Sequence, residues 1–131
     1  MDDMMKQWQT SYTPNVLGIY LLMRVMESVN PIDRVDKTLA GRFKKWETFF
    51  DKKSDQLNFF IKNKEVRSQT VLTIEATPPV VEKVKSKAKK AGIVLGEGYG
   101  DLKKSTFRIA NFPAIQRKEI AQLMDFLYDF I

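Results

Sequence analysis

The sequence predicts an α+β fold: two N-terminal helices, then a small, mainly antiparallel sheet with helices on one face. Three observations lead to this prediction. Two long segments before residue 62 carry apolar residues at helical spacing. Two later segments, 70–76 and 106–111, are rich in β-branched and aromatic residues. Helix patterns follow both, and a short strand at 93–95 precedes the second segment, so the order from about residue 66 is strand, helix, strand, strand, helix.

The first predicted helix is unusually apolar. Thr13 and Pro14 indicate its start, with Thr13 as the N-cap and Pro14 at the first helical position. The helix extends to about Val29 and is apolar on nearly every side, so we expect it to be buried. Because nothing upstream can cover its second face, the sequence predicts a fragment or an oligomer.

The second predicted helix begins at Ile32 and is amphipathic. Its apolar residues recur every three or four positions and give one aromatic-rich face: Val35, Leu39, Phe43, Trp46, Phe49 and Phe50. We expect a short helical piece capped by Ser54 to follow, then a turn at 63–65.

Proline and glycine divide the second half of the chain into short elements. After the strand 70–76 the pattern predicts, in order, a helix from Thr77 and Pro78 to about Ala91 with Gly92 as its C-cap, a short strand at 93–95, a glycine-spaced loop at 96–100, the strand 106–111 and a last helix after Pro113.

Composition restricts the chemistry. The 131 residues include no cysteine and no histidine, which excludes disulfides, Ser-His and Cys-His nucleophiles and most zinc sites, and no metal site is predicted. This argues against a self-contained hydrolase. The net charge of +6 raises nucleic acids and anionic ligands as partners. No stretch has the length of a transmembrane helix and the N-terminus is acidic, so we expect a soluble, cytoplasmic protein without membrane partners.

Arg108 is the main candidate site residue. In the strand, Phe107 and Ile109 alternate with Thr106, Arg108 and Ala110, so the guanidinium lies on the polar face between small residues. Such a guanidinium suits a carboxylate or phosphate held bidentately. The alternative is a structural salt bridge, which the local pattern favours because single charges on strand faces are common.

Weaker candidates surround it. The loop 96–100 is an unfavourable phosphate loop, because a strand rather than a helix follows it. Lys103 and Lys104 could face an anion, although solvation is the simpler interpretation. The lysine-rich helix at 82–90 could follow a nucleic-acid backbone, but no aromatic pair accompanies it, so we predict a solvated face and no nucleic-acid partner. Tyr12 and Thr13, near a helix N-terminus, could contact an anion.

Two strings resemble a known family. The segment Ser11 to Leu22 resembles the Thr-Pro segment of class V aminotransferases, which use pyridoxal phosphate. The segment Thr106 to Ala114, Thr-Phe-Arg-Ile-Ala-Asn-Phe-Pro-Ala, resembles the C-terminal motif of the phosphoserine aminotransferases in that class, and Arg67 to Leu72 fits their first small-domain strand. The resemblance spans essentially the whole chain but only about the last third of a complete enzyme.

The resemblance implies an organisation and a site. Residues 1–30 would end a truncated large cofactor-binding domain, residues 31–62 would be connector helices, and residues 63–131 the small domain. The lysine that forms the Schiff base would be absent, leaving no catalytic residue here and an inactive fragment. Arg108 would bind the substrate carboxylate. Thr13, with Tyr12, would contact the phosphate of the pyridoxal phosphate held by the opposite subunit of a homodimer.

Two departures leave alternatives open. Tyr12 stands where the phosphoserine enzymes commonly have Asn, and the His-Arg pair that binds substrate phosphate in many members has no counterpart, because histidine is absent. The resemblance implies exchange of an amino group between phosphoserine and 2-oxoglutarate in serine biosynthesis. The alternatives are a class V transaminase of the alanine/serine–glyoxylate type and a non-enzymatic anion- or RNA-binding α+β module.

Overall fold

The computed structural model describes residues 3, 6, 7, 10, 12–29, 31–53 and 56–130. The chain divides into two compact units, Met1–Pro31 and Ile32–Ile131, and each is described by itself. The assignment of 1–30, 31–62 and 63–131 to three parts of an enzyme stays a prediction.

Helix α1 of the first unit spans Val16–Ser28, as its apolar run predicts, and contains no buried residue. The predicted cap was wrong: Asn15, not Thr13, is the N-cap, because the Asn15 Oδ1 accepts the Gly18 N–H at 2.9 Å. Although α1 is the most apolar of the helices, no helix in the described ranges is long and apolar enough to cross a bilayer.

Helix α2, Ile32–Lys53, opens the second unit and confirms the amphipathic pattern. Leu39, Phe43, Trp46 and Phe50 are buried at spacings of four, three and four residues. Trp46 is stacked on Phe50 with ring centroids 5.8 Å apart. These rings form one wall of the core, which therefore lies between α2 and the sheet.

Four strands form one antiparallel sheet in the order β1-β2-β4-β3. Their bounds are Asn58–Phe59 for β1, Val71–Glu75 for β2, Gly96–Glu97 for β3 and Thr106–Ala110 for β4. The predicted strands at 70–76 and 106–111 are confirmed.

Two predicted elements were wrong. The short helix expected after Ser54, a residue that lies outside the described ranges, is replaced by β1, because Phe59 pairs with Ile74 and is buried. The short strand expected at 93–95 lies instead at 96–97. There Gly96 can approach Arg108 in the ladder, whereas Val94 is 95% exposed.

Helices α3, Pro78–Lys90, and α4, Arg117–Tyr128, complete the second unit. The C-cap of α3 is Ala91, one residue before the predicted Gly92, and Gly92 follows it with φ +72°, the left-handed conformation that glycine allows after a helix. The buried apolar side chains of the strands lie on one sheet face: Phe59, Leu72, Ile74, Phe107 and Ile109. Apolar residues of α2, α3 and α4 cover that face. The predicted α+β class with helices on one face is confirmed.

Candidate functional site

Arg108 lies at the centre of β4, on the sheet face that the helices leave open. Its ladder partners are Thr73 on β2 and Gly96 on β3, whereas Phe107 and Ile109 turn to the covered face and are buried. The Arg108 side chain is half-buried. The alternation within β4 therefore places Arg108 on the sheet face that also carries Val71, Thr73 and Glu75 of β2.

Two contacts fix the Arg108 side chain. Its Nε donates a hydrogen bond to the Glu97 carbonyl oxygen at 2.7 Å. Its Cζ lies 4.3 Å from the centroid of the Tyr99 ring, a cation–π distance. Because the Nε edge and one planar side are occupied, the guanidinium presents its two terminal nitrogens.

The charge of Arg108 has no protein counter-ion in the described part of the chain, where no carboxylate pairs with it and no acceptor engages its terminal nitrogens. Glu75, the acidic strand residue on the same sheet face, is ion-paired with Lys62. The described residues therefore do not form the structural salt bridge that was the alternative interpretation of Arg108. A held guanidinium with two free N–H groups per terminal nitrogen suits an external carboxylate.

Glycines allow the Tyr99 loop to approach β4. A Cβ added to Gly96 would lie 3.0 Å from the Arg108 Cβ and 3.3 Å from its carbonyl oxygen. At Gly98 an added Cβ would lie 2.3 Å from the Thr106 Oγ1 and 2.7 Å from the Leu102 carbonyl oxygen. The glycine spacing thus serves close backbone contact in a hairpin-like connection.

Lys85 on α3 anchors both ends of that loop. Its Nζ donates to the Glu97 Oε2 at 2.8 Å and to the Lys103 carbonyl oxygen at 3.0 Å. The hydrogen bond from the Lys85 ammonium is the main cause that lowers the pKa of the Glu97 carboxyl below its ordinary value. Glu97 is thereby held from both sides: its side chain by Lys85 and its carbonyl oxygen by Arg108.

Thr106 differs from expectation. The alternation placed it beside Arg108 on the polar face, but its side chain is only 1% exposed. The cause is the loop, because the Thr106 Oγ1 donates to the Leu102 carbonyl oxygen at 2.8 Å. Thr106 therefore helps to close the loop that carries Tyr99.

Tyr12 and Thr13 belong to the first unit, and Arg108 belongs to the second. Tyr12 is 87% exposed, Thr13 is exposed, and the Tyr12 carbonyl oxygen accepts the Thr10 hydroxyl at 2.6 Å. In the first turn of α1 the Gly18 N–H donates to Asn15 and the Val16 N–H donates to the Pro14 carbonyl oxygen. The Tyr12 and Thr13 hydroxyls precede the helix and form no hydrogen bond with the described residues.

Sequence reasoning missed Tyr99 and the Glu97 carbonyl. The available signal was the alternation of glycines in 96–100, which indicates a backbone in close contact with another part of the chain, but it does not identify the contacting residue.

Lys103 and Lys104 line a groove beside α3, together with Glu97, whose ladder partner is Phe107 on the covered face. They therefore belong to the side of the sheet opposite to Arg108. Among the described residues, no cluster of three or more acidic side chains could hold a metal ion.

The fold is that of an aminotransferase small domain, a mixed α+β layer with an antiparallel four-stranded sheet. The particular similarity is to a phosphoserine aminotransferase from Cytophaga hutchinsonii, with a TM-score of 0.76 and 27% sequence identity. The match covers 92% of this chain and 34% of that enzyme, so the chain spans about a third of its neighbour's length, which fits a C-terminal domain. No protein-family model matches the sequence, and no curated protein matches it.

Proposed function

We propose that this chain is the C-terminal part of a phosphoserine aminotransferase. The complete enzyme converts phosphoserine and 2-oxoglutarate into 3-phosphohydroxypyruvate and glutamate, a step of serine biosynthesis. It is a cytoplasmic homodimer that uses pyridoxal phosphate, and this chain alone is inactive. The similarity to the Cytophaga hutchinsonii enzyme over 92% of the chain supports this assignment.

The observation that carries the proposal is the state of Arg108. A guanidinium without a protein counter-ion, held at Nε by the Glu97 carbonyl oxygen and on one side by Tyr99, is oriented before any ligand arrives. Its terminal nitrogens can then donate hydrogen bonds to both oxygens of one carboxylate in the guanidinium plane. Both proposed substrates carry such a carboxylate beside the carbon that exchanges its amino group.

The fixed orientation has a functional consequence. Ordering a flexible side chain at the moment of binding lowers affinity, and here that cost falls on folding instead. Arg108 therefore positions the substrate rather than only attracting it, which is what an amino-group exchange at one carbon requires.

Tyr12 and Thr13 suit the phosphate contact that we propose for them. Hydroxyl groups donate to phosphate oxygens, and both side chains are exposed ahead of the N-terminus of α1, where the helix dipole favours an anion. When bound, pyridoxal phosphate supplies the electron sink for the exchange, while these residues only hold its phosphate.

Helix α1 supports the presence of a further domain in the working enzyme. Nine of its residues from Val16 to Met26 are large apolar side chains that are at least 46% exposed. A helix that is apolar on all sides is normally buried. We propose that the large domain of the complete enzyme covers α1. The length of the similar enzyme also supports a further domain, because this chain matches only 34% of it.

The decisive experiment captures the protein that carries this chain from its own cells, with an antibody raised against residues 32–131. We expect transamination of phosphoserine with 2-oxoglutarate and a much lower rate with alanine or with serine and glyoxylate. A higher rate with alanine or serine would assign the other class V activity.

The isolated chain tests the non-enzymatic alternative. We expect neither a cofactor absorbance band nor a shift with single-stranded RNA at moderate salt. A salt-dependent RNA shift, together with no transamination by the captured protein, would overturn the proposal in favour of a binding module.

A further inference from the structure

A groove beside α3 is separate from the Arg108 face. It has a volume of about 840 Å³ and lies between α3, the segment 93–97 and the 3₁₀ helix Gly100–Lys104. Pockets for small organic ligands typically range from about 300 to 1,000 Å³. Glu97 lines the groove and Arg108 lies on the other sheet face, so the groove is not part of the carboxylate site.

The surface of the groove is mainly apolar. Val81 forms part of its floor, and Ile93, Val94 and Leu95 form one wall. Val94 is 95% exposed, whereas Val81 is only 1% exposed, so the apolar surface continues from the core outward to the rim. A ligand with an apolar body would bury this surface.

The rim of the groove is basic. Four lysines and two glutamates line the groove, but Lys85 and Glu97 neutralise each other at 2.8 Å. Three lysines and one glutamate remain, a local charge of about +2: Lys89, Lys103, Lys104 and Glu82. None of these three ammonium groups makes a hydrogen bond or ion pair within the described residues, so they remain available to an anion.

The Lys85 contacts also give the groove a fixed shape. Lys85 is itself only 21% exposed, and its Nζ joins α3 to both the Glu97 side chain and the Lys103 carbonyl oxygen. Lys85 therefore connects α3 to both other sides of the groove, while the ammonium groups of Lys89, Lys103 and Lys104 remain unpaired among the described residues. An apolar floor under a cationic rim complements one class of molecule, an amphiphilic anion.

We propose that this groove binds a small amphiphilic carboxylate, with its apolar chain along Val81 and the 93–95 wall and its carboxylate at Lys89, Lys103 and Lys104. The site is independent of Arg108 and of the proposed transaminase activity. Its ligand differs from an amino acid substrate because an apolar chain, not a second charged group, accompanies the carboxylate.

The test is a titration of the ¹⁵N-labelled 131-residue chain with sodium decanoate, followed by amide chemical shifts. We expect saturable shifts at residues 93–97 and 103–104, and much weaker binding of decanol, which has the same chain without the charge. Shifts confined to α1, or equal affinity for decanol, would overturn the proposal. Because the readout is specific to residues, it separates the groove from the exposed apolar surface of α1.

Two variants sharpen the titration. The first replaces the three rim lysines by glutamine (Lys89→Gln, Lys103→Gln, Lys104→Gln) and should raise the decanoate dissociation constant roughly fivefold or more. Its matched control removes the same charge from exposed positions of α2 (Lys37→Gln, Lys44→Gln, Lys45→Gln) and should leave the constant within about twofold.

The second variant, Val94→Ser, should weaken decanoate binding about threefold or more without unfolding the chain, because Val94 is exposed. Equal losses in the rim variant and its control would show attraction by net charge alone and would contradict the assigned site. Unchanged binding by both the rim variant and Val94→Ser would also reject it.

Discussion

The two faces of strand β4 are used differently. Phe107 and Ile109 turn to the helices and are at most 1% exposed, whereas Arg108 between them turns to the open face and carries a charge that no described residue neutralises. One face contributes stability through apolar burial. The other face carries the Arg108 guanidinium, which two contacts orient and whose terminal nitrogens stay open to a ligand. The open face of this short strand is thus organised as strictly as the buried face, because two contacts orient the half-buried Arg108.

The largest expected effect lies on the covered face. Phe107→Ala should lower the free energy of unfolding by about 3–5 kcal/mol, because it leaves a cavity at a position with no exposed surface. Arg108→Gln on the other face should cost about 1 kcal/mol or less, since one hydrogen bond and one cation–π contact are lost. Urea unfolding of both variants measures the difference. Equal losses would mean that the two faces are not distinct in the way described.

A medium effect is expected in the loop that carries Tyr99. Gly98→Ala should destabilise the chain by about 1–3 kcal/mol, because its Cβ would lie 2.3 Å from the Thr106 Oγ1. The matched control is Gly41→Ala in α2, where an added Cβ meets nothing within 4 Å; it should stabilise the chain by about 0.5–1 kcal/mol. A Gly98→Ala variant as stable as the wild type would show that the loop does not need this close approach.

The smallest effect concerns pH. Because Lys85 lowers the pKa of Glu97 in the folded chain, the ionised carboxylate favours the folded state above its ordinary pKa of about 4.5. This stability is lost as the pH falls through the lower folded pKa. Since Glu97 is 53% exposed, we expect at most about 0.5 kcal/mol. The stability difference between the wild type and Glu97→Gln should therefore be present at pH 7 and vanish as the pH falls below the lowered pKa of the folded chain; a difference that stays constant with pH would contradict the ion pair.

Much of the fold could be predicted from the sequence. The helices α1 to α4, the strands β2 and β4 and the orientation of Arg108 all follow from local periodicity, which the chain keeps wherever one face is buried. The elements that were mispredicted depend on distant partners. β1 forms where Phe59 pairs with Ile74, and β3 forms where Gly96, which has no side chain, lies close to Arg108.

The site was predictable in part. The β4 alternation identifies Arg108, but Tyr99 and the Glu97 carbonyl reach it through a folded loop that spacing alone does not specify. The cap of α1 shows the same limit at short range. Thr13-Pro14 is a frequent helix start, yet Asn15 competes for the same N–H groups and forms the bond.

The most direct measurement of the central claim is the steady-state kinetics of Arg108→Lys in the complete enzyme. If Arg108 holds the substrate carboxylate with its terminal nitrogens, a lysine keeps the charge but loses the paired geometry. We expect kcat/KM for phosphoserine to fall by about 30- to 1,000-fold, equivalent to roughly 2–4 kcal/mol, while Arg34→Lys on the exposed side of α2 changes nothing. Unchanged kinetics for Arg108→Lys would remove Arg108 from the site.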